Sequence, residues 1–395
     1  MGKNEKILWD VIVIGAGASG MMAAITAAKN GKKVLILEKL DKAGKKLLAT
    51  GNGKCNFTNK VMSADCFRGD KTFVERVLQE YSVQDVLEFF HSIGIYPKEK
   101  NGYYYPNSEQ ATSVVYALLD ELRRLKVQIH YSVQISDIRS MEDGLTLATS
   151  MGEIYCRKLI IATGLKAAPK LGSDGSMFEN IKKLGHRFVP ILPALCGFYC
   201  KGLDFKKISG VRANGTVIAY VNGREIARDT GEIQFTDYGL SGIPVFQISH
   251  FLSNGLYHKS KVEIGINLLP EFDKIQLINE LNYRKSKMDL LNGLLNQKLG
   301  DVILSLVSSK QNLEEIATAI QTIRVTVTQA RDFEFAQVCS GGISLKDIEW
   351  TSLESKLAPN VHFAGEILDV DGICGGYNLH FAWATGFIAG NAVSK

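Results

Sequence analysis

The chain has 395 residues, 46% of them hydrophobic and 22% charged, with a formal net charge of +5 and only 8 prolines. That length suggests two or three domains and a core able to enclose a large ligand, and the composition excludes a disordered or low-complexity chain. The charge is small for the length, with Lys42, Lys45 and Lys46 its only tight basic group, which argues against a nucleic-acid partner and suits a local phosphate better.

The N-terminus, 1–6, is polar and carries no signal peptide, and no apolar run approaches the roughly 18 residues of a membrane span. Neither a membrane partner nor export is expected, so the cytoplasm is the default location. The seven cysteines (55, 66, 156, 196, 200, 339, 374) are scattered and read as reduced thiols. Cys196 and Cys200 lack a second Cys/His pair, so no metal is expected.

In chain order, 9–14 is an apolar, β-branched run that reads as a buried parallel strand. A glycine turn follows, then an Ala- and Met-rich helix over 19–30 that stops at Gly31, then a second buried strand over 33–37 closed by Glu38. This is one right-handed βαβ unit. Residues 41–60 read as a Gly-, Lys- and Asn-rich loop, 70–93 as helical, and 94–108 as a turn-rich aromatic stretch. Ser108 is placed to cap a helix over 109–125. Strands are expected at 127–131, 133–139, 144–149, 153–156 and 158–162. From about 190 the pattern changes: 195–265 alternates apolar and polar residues as antiparallel strands do, and 271–322 reads as helical, with leucine-rich faces at 276–281, 288–295 and 302–306. The buried-strand style returns near 335, with a strand at 360–364 and an apolar helix at 377–392. The reading is therefore a discontinuous domain, 1–190 with 331–395, interrupted by a β-rich insert over 191–270 and a helical segment over 271–330.

The chemistry begins at Gly15-Ala16-Gly17-Ala18-Ser19-Gly20. A lone G-x-G-x-x-G is weak, but this one lies between strand and helix, with an acidic residue about twenty positions on. Gly15 permits the turn, Gly17 lets the backbone approach a pyrophosphate, and Gly20 lets helix and strand pack. The helix start favours the phosphate charge. Glu38 suits two ribose hydroxyls and repels a 2′-phosphate. At the other end, Val361-His362-Phe363-Ala364-Gly365-Glu366 is a strand ending in a small residue and an acid, followed by a loop and a helix. A simple NAD dehydrogenase has no need of that returning segment, whereas an FAD domain sends its last strand under the ribityl chain and points the next helix at the flavin ring. Ala162-Thr163-Gly164, at the end of a buried strand, is the third piece. Together the three indicate FAD, non-covalently bound.

The chain resembles the BaiN/RdsA family of NAD(P)/FAD-dependent oxidoreductases over nearly its whole length. The resemblance rests on Lys46-Leu47-Leu48-Ala49-Thr50-Gly51-Asn52-Gly53-Lys54-Cys55-Asn56, Tyr105-Pro106, Gly172-Ser173-Asp174-Gly175, Leu192-Pro193-Ala194-Leu195, Phe235-Thr236-Asp237-Tyr238-Gly239-Leu240-Ser241-Gly242 and Phe363-Ala364-Gly365-Glu366-Ile367-Leu368-Asp369-Val370-Asp371-Gly372. Lys54 stands where an Arg is usual, and Leu165 where a second Gly is usual. The resemblance implies a two-dinucleotide-binding-domain flavoprotein fold of α/β class, Rossmann-like, with an inserted antiparallel β-barrel and helical region. It also implies that the 45–56 loop wraps the flavin. The candidate cofactor contacts are thus Gly15, Gly17, Ala18, Ser19, Gly20, Glu38, Lys39, Lys45, Lys46, Asn52, Gly53, Lys54, Cys55, Asn56, Ile135, Ala162, Thr163, Gly164, Gly365, Glu366, Asp369, Gly376, Tyr377, Asn378 and Leu379. Candidate catalytic residues are Tyr105, Tyr238, Cys55 and His380. No second complete glycine fingerprint occurs, so NAD(P)H is expected as a transient reductant without a domain of its own. The family implies hydride transfer to a C=C conjugated with a ketone, as in a 3-oxo-Δ4 steroid or bile-acid-like enone. The alternatives are an O2-using oxidase of small amines or aminoketones, and a flavin-binding protein without turnover.

Overall fold

The protein is described from a computed structural model covering residues 8–286 and 289–395. It divides into two compact units, Met1–Ile191 with Val338–Lys395, and Leu192–Gln337. The first unit is built on a Rossmann-type, mixed α/β sheet, and the second holds a closed six-stranded barrel.

In the first unit, β1 (Leu8–Ile14), α1 (Ala18–Lys29) and β2 (Val34–Leu37) form the expected βαβ unit. Across the sheet the strands run Gln128–His130, β2, β1, Gly152–Ile161, Gly144–Thr149 and Ile135–Met141, and Val361–Phe363 also pairs with Gly152–Ile161. The central strands pair in parallel, and Val11, Ile12, Val13, Leu35, Ile36, Leu159, Ile160 and Ile161 are wholly or almost wholly buried, as strands covered on both faces must be. Register sets the functional edge. Ile14 lies level with Leu37 and with Ile161, and Ile161 with Phe363. Gly15, Glu38, Ala162 and Ala364 therefore leave the sheet side by side, and the C-terminal segment joins the same sheet as the N-terminal one.

The helix Tyr377–Ala392 packs against α1 at very short range. A Cβ at Gly386 would lie 2.5 Å from the Ser19 carbonyl oxygen, and one at Gly390 would lie 2.5 Å from that of Ala23.

Several local expectations change. The helical stretch 70–93 is two helices, Lys71–Glu80 and Val83–Ser92. Ser82 starts the second with a capping box: its hydroxyl accepts from Asp85 N, and its own N–H donates to Asp85. Ser108 does not cap the next helix. That helix runs Ala111–Arg124 from Gln110 with no side-chain cap, and the Ser108 hydroxyl donates to Ser113 Oγ instead. The aromatic stretch forms a hairpin, Pro97–Lys100 with Tyr103–Pro106. The strands expected at 153–156 and 158–162 are one, Gly152–Ile161.

The second unit holds the barrel, whose strands run in order Phe198–Lys201, Gly239–Ser241, Arg224–Phe235, Arg212–Val221, Val262–Asn267 and Ile323–Ala330, the last closing on the first. The long hairpin turns at Asn222-Gly223, both at positive φ, as a two-residue hairpin turn requires. The segment 271–330 is not helical throughout. It holds the helices Lys274–Arg284, Gln297–Leu304 and Leu313–Gln321 but ends in the barrel strand Ile323–Ala330, where Ile323, Val325 and Val327 alternate inward. Residues 289–296 form turns rather than the leucine-rich helix expected there, and Met288, the first residue of that expected face, lies outside the described residues. The β-rich stretch also contains a helix, Ile243–Tyr257.

Gly386→Ala should lower the melting temperature, because the added methyl meets rigid backbone; overpacking of this kind costs about 1–3 kcal/mol. Thermal unfolding of the holoprotein measures it, and an unchanged midpoint contradicts the close packing.

Candidate cofactor site

The glycine turn is shaped by what it touches. Gly15 has φ +101°, and a Cβ there would sit 2.7 Å from the Ala162 carbonyl oxygen; a Cβ at Gly20 would sit 1.9 Å from the Gly15 carbonyl oxygen. Gly17 differs. A Cβ there would meet nothing within 4 Å, and Gly17 starts α1 without a side-chain cap. The turn thus leaves open space over an uncapped helix start, which is what a pyrophosphate needs. That opening, a cradle a side chain would fill, fits FAD.

Glu38 is buried, and its two carboxylate oxygens accept from Ala16 N at 2.7 Å and Leu40 N at 2.8 Å. It pins the turn to the end of β2, and each oxygen keeps a lone pair for a ribose hydroxyl. Lys39 pairs with Asp174, and Lys45 with Asp41. Ile135 begins its strand two residues after Val133, whose N–H donates to the Glu38 carbonyl oxygen.

The third and second motifs meet the first. Ala162 N donates to the Ile14 carbonyl oxygen, Ala364 N to that of Ile161, and the Ser19 hydroxyl to that of Ala364. Gly365 N donates to Thr385 Oγ1. Glu366 accepts from Lys46 Nζ at 2.6 Å and from Cys339 N at 2.8 Å, and its carboxylate lies beside Gly164 and Ser173. Thr163 follows Ala162 on the same edge. The sequence reading missed Cys339 and Thr385, which act through a backbone N–H and a helix hydroxyl and leave no motif. Ser173 lay inside a quoted motif. Leu165, at the place of the usual second glycine, is wholly buried while Gly164 makes the left-handed turn at φ +64°.

The loop after Lys46 is exposed over 51–54, with Gly51, Asn52, Gly53 and Cys55 all at positive φ. Non-glycine residues held there carry strain of order 1–3 kcal/mol, which persists at binding loops. Lys54 pairs with Glu109. Half-buried Tyr105 lies against the loop, its ring carbon 3.8 Å from where a Gly51 Cβ would be, and burial raises its hydroxyl above the usual tyrosine range.

Around the start of Tyr377–Ala392, several candidates are bonded to main-chain groups. With its amide oriented to satisfy its neighbours, Asn56 donates to the Thr58 and Tyr104 carbonyl oxygens and accepts from Gly376 N. Asn378 clasps Gly372, accepting from its N–H at 2.8 Å and donating to its carbonyl at 2.7 Å. Tyr377 is buried edge-on against Phe67, and Leu379 is half-buried. Asp369 donates its N–H to the Ile343 carbonyl oxygen.

Two catalytic candidates are enclosed. Cys55 is fully buried, and burial pushes its thiol up to about 12. His380 is fully buried with both ring nitrogens in use: Nε2 donates to the Tyr81 carbonyl oxygen, so Nδ1 accepts from the Thr58 hydroxyl at 2.8 Å. It is a neutral structural imidazole, and burial lowers its pKa to about 4. Tyr238 belongs to the barrel unit, in ring contact with Tyr199. Among the described residues no His, Cys, Asp or Glu cluster is able to hold a metal ion, and no helix is long and apolar enough to cross a membrane. No disulfide joins any of the seven cysteines.

Two outcomes test the geometry. Gly17→Val should fold yet lose FAD, because a Cβ there meets no protein atom within 4 Å and stands in the cofactor's place; a yellow, dialysed variant contradicts this. His380 is depressed in the fold relative to about 6.5 unfolded, so its contribution is complete above pH 6.5 and lost as pH falls toward 4, by roughly 3 kcal/mol in full. Urea unfolding at pH 7 and pH 5 should show a smaller pH loss in His380→Gln than in the wild type; equal losses contradict the assignment.

Comparisons with known proteins bear on the family and the fold. Residues 9–392 match the family described as "HI0933-like protein Rossmann domain". The chain is 39% identical to the 3-dehydro-bile acid delta(4,6)-reductase of Clostridium scindens, over 97% of this chain and 98% of that one. It is 30% identical to the ribosomal RNA dihydrouridine synthase of Escherichia coli, over 95% and 96%. Its fold is similar to that of the 3-ketosteroid-delta4-(5alpha)-dehydrogenase of Rhodococcus jostii, with TM-score 0.53 and 15% identity over 99% of this chain and 98% of that one. The expected family and fold class are borne out: the chain belongs to the HI0933-like Rossmann family, and it is an FAD-dependent oxidoreductase.

Proposed function

We propose that this oxidoreductase reduces a carbon–carbon double bond conjugated to a ketone, in a 3-oxo-Δ4 steroid or bile-acid-like enone, with NAD(P)H as its transient reductant. The observation that carries the reading is the 39% identity to a bile-acid reductase over nearly the full length of both chains. FAD, when bound, supplies a two-electron carrier able to accept and give hydride. The turn Gly15–Gly20 and the start of α1 hold its pyrophosphate, Glu38 its ribose, and the Lys46–Glu366 pair the segment between. The absence of a second glycine fingerprint from the sequence supports a nicotinamide that visits the site and leaves. Tyr105, kept protonated by burial, is the candidate donor of the proton that reaches the α-carbon when hydride reaches the β-carbon.

A second reading has its own support. Dihydrouridine differs from uridine by two hydrogens across a double bond conjugated to a carbonyl, so the 30% identical synthase performs related chemistry on RNA. The reaction class is shared and the substrate differs.

Anaerobic NADH or NADPH should bleach the yellow holoenzyme, and a 3-oxo-Δ4 enone should restore the colour while becoming the saturated ketone. Bleaching by neither nicotinamide overturns the reductase reading. Peroxide release with small amines favours an oxidase, and turnover of uridine in RNA without turnover of enones moves the substrate to the second reading.

A further inference from the structure

Within the first unit, the segment Gly172-Ser173-Asp174-Gly175 touches the nucleotide edge at two separated places. At one, a Cβ on Gly172 would stand 3.1 Å from a Leu40 methyl carbon, and the Asp174 carboxylate accepts from Lys39 Nζ. Lys39 and Leu40 follow directly on Glu38, at the end of β2. At the other, the Ser173 hydroxyl oxygen lies 2.7 Å from where a Gly164 Cβ would be, and a Glu366 carboxylate oxygen lies 3.5 Å from the same point. Gly164 follows the strand Gly152–Ile161, and Glu366 follows Val361–Phe363.

Between β2 and Gly152–Ile161 the sheet has one strand, β1. A segment anchored beyond the ends of both neighbours crosses the end of β1, in front of the Gly15–Gly20 turn and its open Gly17 position. Gly172 and Gly175, at φ +110° and +76°, give the crossing a pivot on each side. The second Asp174 oxygen accepts from Ser176 N at 3.0 Å, and among the described residues Lys39 is its ion-pair partner. The two side chains are 34% and 31% exposed, so salt reaches the pair. Ser173 is buried, yet among the described residues its hydroxyl makes no hydrogen bond. A buried hydroxyl of this kind gains most from a partner that arrives with a ligand.

We propose that residues 172–175 form a strap that closes over the FAD pyrophosphate, latched by the Lys39–Asp174 ion pair, with the Ser173 hydroxyl donating to the cofactor. Lys39 then acts through Asp174 as a positioning residue, and FAD enters and leaves when the pair opens. The strap needs only the bound cofactor and no step of the proposed reduction.

FAD exchange on the intact holoprotein tests the strap. Displacement by excess isotopically labelled FAD times release, flavin fluorescence over a dilution series yields Kd, and their ratio is the entry rate. Opening a latch speeds entry and release together, whereas losing a direct contact speeds release alone. Asp174→Asn and Lys39→Gln should each quicken release about fivefold, the upper range for an ion pair this exposed, with Kd changed less than about twofold. Lys39→Asp combined with Asp174→Lys should return release toward the wild-type rate. Added salt should quicken release in the wild type and much less in Asp174→Asn. Ser173→Ala should raise Kd about fivefold, as loss of one hydrogen bond implies, and keep the wild-type salt response. Wild-type release indifferent to salt overturns the latch without any variant. So does unchanged release in Asp174→Asn, or release and Kd that rise in step, which marks a direct contact. An unchanged Kd in Ser173→Ala overturns the assignment of its hydroxyl. No substrate is present, so failure of enone reduction alters none of these outcomes.

Discussion

The nucleotide edge depends on how closely the chain approaches itself between Gly15 and Gly20. The Gly20 Cα faces the Gly15 carbonyl with no space for a methyl group, and Gly15 faces the Ala162 carbonyl in the same way. These contacts draw the start of α1 down onto the ends of two strands. The Glu38 carboxylate then ties the turn to β2 through two backbone N–H groups. A carboxylate held by N–H donors is rigid, so the same atoms that fix the turn present a fixed acceptor to a ribose. Of the three glycines, only Gly17 has open space where a Cβ would stand.

The polar groups near the site divide by burial. His380, Cys55 and Asn378 are each enclosed or bonded to the main chain. Those that retain partial exposure, such as Lys46, Glu366 and Tyr105, stand where the chain leaves the sheet or along the strained 51–55 loop. Flavin chemistry makes this division possible. The redox step belongs to the cofactor, so the protein's task is to hold, orient and exclude, with at most one proton to deliver.

Much of this was legible in the sequence. Glycines at 15, 17 and 20 between a β-branched run and an Ala-rich run specify a turn with a mechanism, and Glu38, Ala162–Gly164 and Gly365–Glu366 each follow a buried apolar strand whose end marks the edge. Side-chain direction was not legible. His380 lies on a helix buried on nearly every side, where periodicity carries no information about which face meets which neighbour. Cys55 sat within a glycine-rich motif, yet its left-handed backbone turns it into the core. The helix break at Ser82 depended on a local capping box that competes with an unbroken apolar pattern, and the strand Ile323–Ala330 was masked by the helices before it.

The hydrogen bond from Ser19 to Ala364 joins residues 345 apart. Between them the ribosome makes the whole barrel unit, which closes on itself through the pairing of Phe198–Lys201 with Ile323–Ala330. The sheet must wait for Val361–Phe363 while the insert already has every strand it needs. The order of synthesis therefore runs opposite to the order of assembly: the first motif translated is among the last to be completed, and cofactor loading belongs to the finished chain. Contacts of such long sequence separation are slow to form, so the edge at Leu159–Ile161 stays unpaired until Val361–Phe363 has been made.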